Sequence, residues 1–392
     1  MYKNNKTIVL IILGMLIAIS PFSIDTYLPA FPEIASSLDT DFAHVGYTLS
    51  SYYAGLCTGQ LIYGILIDRF GRKKPLTVGL SLYFFSALAC ALTPGINMLI
   101  VFRLLMALGG CVGMVVARAM VQDLYPPGDT PKVMSKLVLV MGIAPIIAPT
   151  IGSWINQLMG WRWVFGFMAL IAIVLIIAVR KGLPETKAAD ETLRFNISDI
   201  SFEYKKLLTN KYFLRYAFAG GMAYAGMYAY IAGSPFVFME IFGFPPSAFG
   251  WAFALNAIGL ILGSQLNRWA LKYFQSEKIT LTAMILLSVT ALALLITTYF
   301  GYALSVLTLT ATFLFLFWLG FINPNTTALT LRPFTSSAGR ASAMLGSIQM
   351  TAGVIASWLV GLLHNGTAVI MPLVMFACTL LPVLLLLKTK NV

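Results

Sequence analysis

Charge is scarce in this chain. Asp, Glu, Lys and Arg together make up 10% of its 392 residues, against about 25% in an average soluble domain, so a water-exposed surface over most of the molecule is excluded. Cysteine is scarcer still, with four in the chain. Cys57, Cys90, Cys111 and Cys378 each fall inside an apolar run with no C-x-x-C spacing, which reads as core packing and excludes a disulfide or zinc framework. The two histidines, His44 and His364, stand far apart and form no H-E-x-x-H pair. No stretch reads G-x-x-x-x-G-K-[ST], so ATP-driven chemistry has no support either. Nothing suggests an enzyme, a cofactor or a bound metal.

What the chain has in abundance is apolar sequence: 59% of residues are hydrophobic and the mean hydropathy is +0.85. A membrane-spanning helix needs about 20 apolar residues, and such blocks follow one another with little between them. Twelve are read, at Thr7 to Leu28, Ala43 to Ile67, Pro75 to Leu92, Met98 to Ala117, Val133 to Ile155, Trp163 to Val179, Phe213 to Gly233, Ser247 to Trp269, Ile279 to Thr298, Tyr302 to Leu329, Ala341 to Leu363 and Ala368 to Leu387. The first contains Asp25, lacks a small-residue cleavage site and leads straight into more membrane, so it reads as a retained helix rather than a signal peptide. The expectation is an all-α integral membrane protein with two six-helix halves, residues 1–180 and 211–392, joined by a central loop at 181–210. That loop opens with LPET (Leu183 to Thr186). Its later part mixes Ile197, Ile200, Phe202, Leu207 and Leu208 with Glu203, Lys205 and Lys206, which fits a surface-lying helix or a plain connector.

The charges that remain are unevenly placed. The net charge of +12 raises the question of nucleic acid, but position answers it. If the spans alternate, Lys and Arg collect on one side and Glu33, Asp39, Asp41 and Glu240 on the other, with Arg162 the exception. The positive-inside rule then predicts both termini in the cytoplasm. The implied partners are the lipid bilayer and a small molecule, not nucleic acid.

Within the spans, two charges are not explained by topology. Asp25 lies about 28 Å along the first helix at 1.5 Å per residue, and Arg103 only a turn or two into the fourth, which enters from the other side, so their depths are compatible. Arg118, about 22 Å further along, reaches the surface. A charge in mid-membrane costs about 3 kcal/mol and faces a cavity or a partner. Burial raises the proton affinity of an aspartate and a nearby arginine lowers it, so Asp25 between those pulls could exchange protons, in competition with a substrate. A fixed Asp25 to Arg103 ion pair that only locks two helices is the alternative at this stage.

Polar groups inside apolar helices mark candidate cavity contacts: Tyr27, Tyr224, Tyr228, Asn256, Asn323 and Gln349, each of which could equally be helix-to-helix glue. Pro145 and Pro149 each remove a backbone hydrogen bond from the fifth span, as an ordinary membrane proline or as part of a gate. Gly64, Asp68, Arg69 and Phe70 are echoed at the same spacing by Gly263, Asn267, Arg268 and Trp269. That echo is either an internal repeat, which would put substrate near the bilayer midplane between the halves, or a chance match between glycine-rich helices.

The stretch GILIDRFGRKKP (Gly64 to Pro75) resembles the signature of the major facilitator superfamily between its second and third helices. PFSIDTYLPAFP (Pro21 to Pro32), RLLMALGGCVGMVVARAMVQDLYP (Arg103 to Pro126), MGIAPIIAPTIGSW (Met141 to Trp154) and AGMYAYIAGSPFVF (Ala225 to Phe238) are similar to the Bcr/CflA family of drug and proton antiporters. The resemblance implies Asp25 for proton coupling, Arg103 as the helix 4 arginine, and Pro145, Ala148, Pro149 and Gly152 in the antiporter motif. It further implies a cytoplasmic gate latch of Asp68 and Arg72 within the signature that holds Gly64 and Arg69, with Asp123 and the helix start near Arg340 as its partners. Met106 stands where glutamine is common, Gln122 where arginine is often found, and Ala144 and Ala148 where the wider superfamily has glycine. These departures bear on substrate range and gating. The expectation is a monomeric exporter of small amphipathic compounds in a bacterial cytoplasmic membrane, using protons and no cofactor. A carrier of one defined metabolite, or a receptor or scaffold without transport, is the alternative.

Overall fold

The computed structural model describes residues 6–126, 130–189, 207–302, 304–334 and 338–388. Among them no strand is present, and twelve long helices follow in order. These are α1 (Lys6–Asp25), α2 (Phe42–Arg69), α3 (Lys73–Ala91), α4 (Ile96–Leu124), α5 (Thr130–Met159) and α6 (Trp161–Gly182), then α7 (Lys211–Pro235), α8 (Pro246–Ala270), α9 (Ser276–Tyr299), α10 (Ser305–Leu331), α11 (Ala338–Leu362) and α12 (Ile370–Lys388). The shortest have 19 residues and the longest 30, about 29 to 45 Å at 1.5 Å per residue, against a hydrocarbon core of about 30 Å. In that core every backbone N–H and C=O must be satisfied within the chain, and helices do so segment by segment. Nine of the described helices cross the threshold of length and apolarity for a membrane span. The others, α2, α5 and α7, are just as long; α2 and α7 are rich in Gly, Ala, Ser and Tyr, residues suited to close packing against protein rather than lipid.

The first helix ends earlier than its hydropathy predicts. The apolar block continues to Leu28, but α1 stops at Asp25 and is followed by a turn at Leu28–Ala30 and a short helix at Phe31–Ser37. Pro29 is the reason: it has no N–H to offer the carbonyl four residues back, which is that of Asp25.

The chain forms two compact units, Met1–Asp41 with Ser51–Phe195, and Phe42–Ser50 with Asn196–Val392. Their boundary differs from a simple cut at the central loop, because the start of α2 packs within the second unit. There Phe42 meets Phe236 with ring centroids 5.6 Å apart, and the Ser50 and Ser357 hydroxyls lie 2.9 Å apart. Of the expected loop, residues 190–206 lie outside the described residues, including Ile197, Ile200 and Phe202.

Helix pairing is repeated between the units. In the first, α1 packs on α4, α5 and α6, while α3 packs on α4 and α6. In the second, α7 packs on α10, α11 and α12, while α9 packs on α10 and α12, the same pattern advanced by six helices. Glycines allow the closest crossings. A Cβ at Gly55 or Gly59 of α2 would lie 2.7 or 2.8 Å from the Cβ of Ala107 or Cys111 on α4. At Gly263 of α8 it would run into the Phe317 carbonyl of α10, 2.9 Å from the carbonyl carbon. Asn267, one turn on, is fixed there by Asn325, whose Nδ2 donates to its Oδ1 at 2.6 Å.

The motif echo therefore joins positions with different packing, since a Cβ at Gly64 meets nothing within 4 Å. Gly263→Ala is expected to cost about 1–3 kcal/mol through overpacking and to lower the thermal unfolding midpoint in detergent. Gly64→Ala should leave that midpoint within a degree or two. Equal effects would contradict this account of the crossing.

Candidate functional site

The last turn of α1 is held from three sides. Its hydroxyl-bearing residue, Ser23, donates from Oγ to the Ile19 carbonyl at 2.6 Å and also hydrogen-bonds the Tyr83 hydroxyl of α3. The backbone carbonyl of Ser23 is one of the last four of the helix, which lack an amide one turn ahead; Arg103 of α4 supplies a donor from Nη1 at 3.2 Å. Just beyond, the backbone of Thr26 lies on Gly152 of α5, so close that a Cβ there would meet the Thr26 carbonyl oxygen and sit 2.7 Å from its carbon. Only glycine permits that approach. Asp25 ends this turn and is 4% exposed.

Arg103 is fully buried, and its neighbours are aromatic rather than acidic. The guanidinium carbon lies 4.2 Å from the Tyr52 ring centroid, 4.6 Å from that of Tyr27 and 5.9 Å from that of Phe165. Ring faces attract cations, more strongly where water is absent. Met106 brings its thioether Sδ to 3.9 Å from Nη1. Among the described residues, Nε and Nη2 have no hydrogen-bond partner. Among the described residues no ion pair joins Asp25 to Arg103. Compatible depth did not amount to contact: the guanidinium is committed to the Ser23 carbonyl and to its aromatic cage. Three of the five guanidinium N–H groups, the one on Nε and both on Nη2, are thus left unmet among the described residues.

The signature between α2 and α3 forms a second cluster. Arg72 is buried and spans two carboxylates, donating to Asp123 from Nε at 2.9 Å and Nη2 at 3.3 Å, and to Asp68 from Nη1 at 3.1 Å. Nη1 also caps α2 through the Ile67 carbonyl at 3.1 Å. Burial works against the Arg72 charge, but the hydrogen bonds and negative charge of Asp123, then of Asp68, outweigh it and hold the guanidinium above its ordinary range. The LPET segment completes the cluster. Glu185 accepts from the backbone N–H groups of Arg72 and Lys73 at 2.7 and 3.0 Å, capping the positive end of α3. Thr186 donates to Asp123 at 2.7 Å and Lys187 to Asp68 at 2.8 Å. Gly71 makes the turn beneath at φ +77°, where a Cβ would lie 2.9 Å from the Lys187 carbonyl. Arg69 lies beside the Phe70 ring at 5.3 Å. The Arg340 side chain lies outside the described residues.

The other sequence-picked residues are dispersed. Pro145 lies within α5 one turn before the buried pair Ala148 and Pro149, on the same helix as Gly152. Asn256 acts as glue in the second unit, donating to the Tyr230 hydroxyl at 2.7 Å and to Thr312 at 3.0 Å. Tyr228 donates to the Met350 sulfur at 3.6 Å and lies over Gly353, with Tyr224 at 6.2 Å ring to ring. Asn323 accepts from Thr327 at 3.4 Å within α10, and Gln349 is partly exposed beside Gly221. Sequence reasoning missed Tyr52 and Tyr83, which carry no motif signal, and gave no role to Ser23 inside the PFSIDTYLPAFP stretch or to Glu185, Thr186 and Lys187, although LPET was conspicuous.

Twelve long helices in two units of matching pairings, nine of them apolar enough to cross a bilayer among the described residues, go with a family match that makes this a multi-pass membrane transporter, not an enzyme. The chain belongs to the Major Facilitator Superfamily, whose pattern matches residues 13–357. It is 32% identical over 368 residues to the uncharacterized MFS-type transporter YdgK of Bacillus subtilis, covering 93% of this chain and 91% of that one. It is 28% identical to the bicyclomycin resistance protein homolog of Haemophilus influenzae, covering 98% and 96%, and 28% identical to the multidrug resistance protein MdtL of Escherichia coli, covering 95% and 93%. The fold is shared with a bacterial homolog of the human lysosomal transporter Spinster (TM-score 0.79, 12% identity, 100% and 98% covered) and with a D-xylose-proton symporter (TM-score 0.74, 14% identity, 97% of each chain).

Removing one carboxylate from the Arg72 fork tests the second cluster. Asp123→Asn should cost about 2 kcal/mol, below the 3–5 kcal/mol typical of a fully buried pair because Asp123 is partly exposed. Arg72→Lys should cost as much, since an ammonium cannot span both carboxylates. Both are read as a drop of several degrees in the unfolding midpoint; an unchanged midpoint for either would contradict the assignment.

Proposed function

We propose that this chain is a proton-coupled antiporter that exports small amphipathic compounds from the bacterial cytoplasm by alternating access, with Asp25 as the proton carrier. The observation that carries the reading is the pairing of a buried carboxylate at the end of α1 with a buried guanidinium that is near in the fold, tied to the same turn, and not neutralised by it. A permanent ion pair would hold Asp25 charged. Without one, a buried carboxyl is stable in its neutral form and gives up its proton when its surroundings change. Substrate arriving beside α1 makes such a change, so proton and substrate compete, and an inward proton gradient drives substrate outward. The relatives named for bicyclomycin and multidrug resistance support drugs or similar compounds as cargo.

In this reading the protein lies in the cytoplasmic membrane with both termini inside, as the distribution of Lys and Arg favours. The Asp68, Arg72 and Asp123 cluster then stands at the cytoplasmic end, where its making and breaking latches the gate, with the start of α11 near Arg340 as its further partner. Tyr27, Tyr224, Tyr228, Asn323 and Gln349 are the polar side chains offered to substrate within the helices. Asn256 is a weaker candidate, being engaged in joining helices.

Reconstitution into liposomes tests this. With an imposed pH gradient, wild type should accumulate several unrelated amphipathic dyes and antibiotics against their gradients, and a protonophore should abolish the accumulation. Asp25→Asn should lose at least about tenfold of uphill transport while retaining downhill exchange, since only the coupling interaction is removed. Uphill transport by Asp25→Asn equal to wild type would contradict the proposal. Transport of one compound alone would point instead to a carrier of a single metabolite.

A further inference from the structure

We propose that Tyr83 is a positioning residue for the coupled proton: its hydroxyl, acting through Ser23, holds the last turn of α1 so that the Asp25 carboxyl stays clear of the unmet N–H groups of Arg103. This rests on the reading of Asp25 as proton carrier.

Proton bookkeeping fixes the direction of the Tyr83 bond. Ser23 has a single hydroxyl hydrogen, which goes to the Ile19 carbonyl at 2.6 Å, so in the bond between the two hydroxyls Tyr83 is the donor and Ser23 the acceptor. The phenol is placed for this by packing. Tyr83 is 1% exposed, and its ring lies on Gly110 of α4, where a Cβ would stand 3.0 and 3.2 Å from its Cδ2 and Cε2 atoms. Its backbone crosses Gly109, where a Cβ would lie 2.9 Å from the Tyr83 Cα. Gly110 is seven residues beyond Arg103, two helical turns along the same face. One face of α4 therefore carries both the guanidinium that binds the Ser23 carbonyl and the seat of the ring that binds the Ser23 hydroxyl. The titratable groups set around Tyr83 are Tyr52 of α2, Arg103 of α4 and Cys90 of its own helix; no carboxylate is among them.

Arg103 leaves Nε and Nη2 unmet, and that pair forms the side-on fork that a carboxylate takes in a bidentate bond. Ser23 precedes Asp25 by two residues, so rotation of this turn re-aims the carboxyl. Losing the Tyr83 bond cuts the tie from the Ser23 hydroxyl to α3, leaving that hydroxyl beside Tyr52 and bonded to Ile19 of its own helix, and the turn is then free enough for the carboxyl to swing onto the fork. A forked carboxylate is favoured in its charged form, so the proton would then be held less firmly and coupling would weaken.

Tyr83→Phe keeps the ring and deletes the hydroxyl. The protonated carboxyl of Asp25 is followed by its infrared carbonyl stretch in the purified full-length chain as pH is varied, with the band assigned by its disappearance in Asp25→Asn. In Tyr83→Phe the titration midpoint should move to lower pH by about half a unit or more, while the thermal unfolding midpoint stays within a few degrees of wild type. Ser23→Ala cuts the same bond from the other side without touching the ring and should move the titration likewise, which covers the case of a poorly folding Tyr83 variant. A band assigned to Asp25 with an unmoved midpoint in both variants would overturn this inference and leave the antiport reading standing. If Asp25→Asn removes no titrating band, the reading of Asp25 as proton carrier falls and the role of Tyr83 falls with it.

Discussion

One hydrogen bond ties the charged interior of the first unit together, from Arg103 Nη1 to the Ser23 carbonyl at 3.2 Å. α1 ends at Asp25, where Pro29 denies the Asp25 carbonyl an amide, and the last carbonyls of the helix lie inside an apolar bundle. Unsatisfied carbonyls there are costly, and Arg103 is the donor that meets the one on Ser23. Because the guanidinium is used in this way and enclosed by Tyr27 and Tyr52, it does not neutralise Asp25. A cation held by one carbonyl and by ring faces, with Nε and Nη2 unmet, and a carboxyl without an ion pair leave both groups able to change partners.

The glycines make this arrangement possible. Gly152 lets α5 approach the backbone of Thr26, and Gly109 with Gly110 lets α3 and α4 cross closely enough for Tyr83 to reach α1. The second unit repeats the helix pairings but fills the equivalent of the signature differently. Asn267 takes the place of Asp68 and is bound to Asn325 rather than to an arginine. The charged, clasped cluster of Asp68, Arg72, Asp123 and the LPET segment thus has a neutral counterpart in the Asn267 and Asn325 pair.

Much of the fold was legible in the sequence, because a bilayer imposes a length of apolar sequence that short loops cannot hide. The end of α1 was not, since hydropathy runs on through Tyr27 and Leu28 while the break depends on the missing N–H of Pro29. Depth along a helix was legible for Asp25 and Arg103, but rise per residue says nothing of azimuth, and the two do not form an ion pair. Asp68, Arg72 and Asp123 could be picked as a group only by resemblance. LPET was visible as a polar opening to the loop, yet its partners lie about a hundred residues earlier for Asp68, Arg72 and Lys73, at separations of 119, 113 and 112 positions. Tyr83 is one of 17 tyrosines, and nothing in its neighbourhood along the chain distinguishes it. Asn256 looked the same as a ligand contact or as glue until Tyr230 and Thr312 were seen to meet its amide.

The central claim is that proton and substrate compete at Asp25. Its most direct test is proton release from the purified protein in lightly buffered detergent solution as amphipathic compounds are added, wild type beside Asp25→Asn. The account predicts release by wild type, saturating with compound concentration, and none by Asp25→Asn. Equal release by both proteins would contradict it and move the coupling away from Asp25.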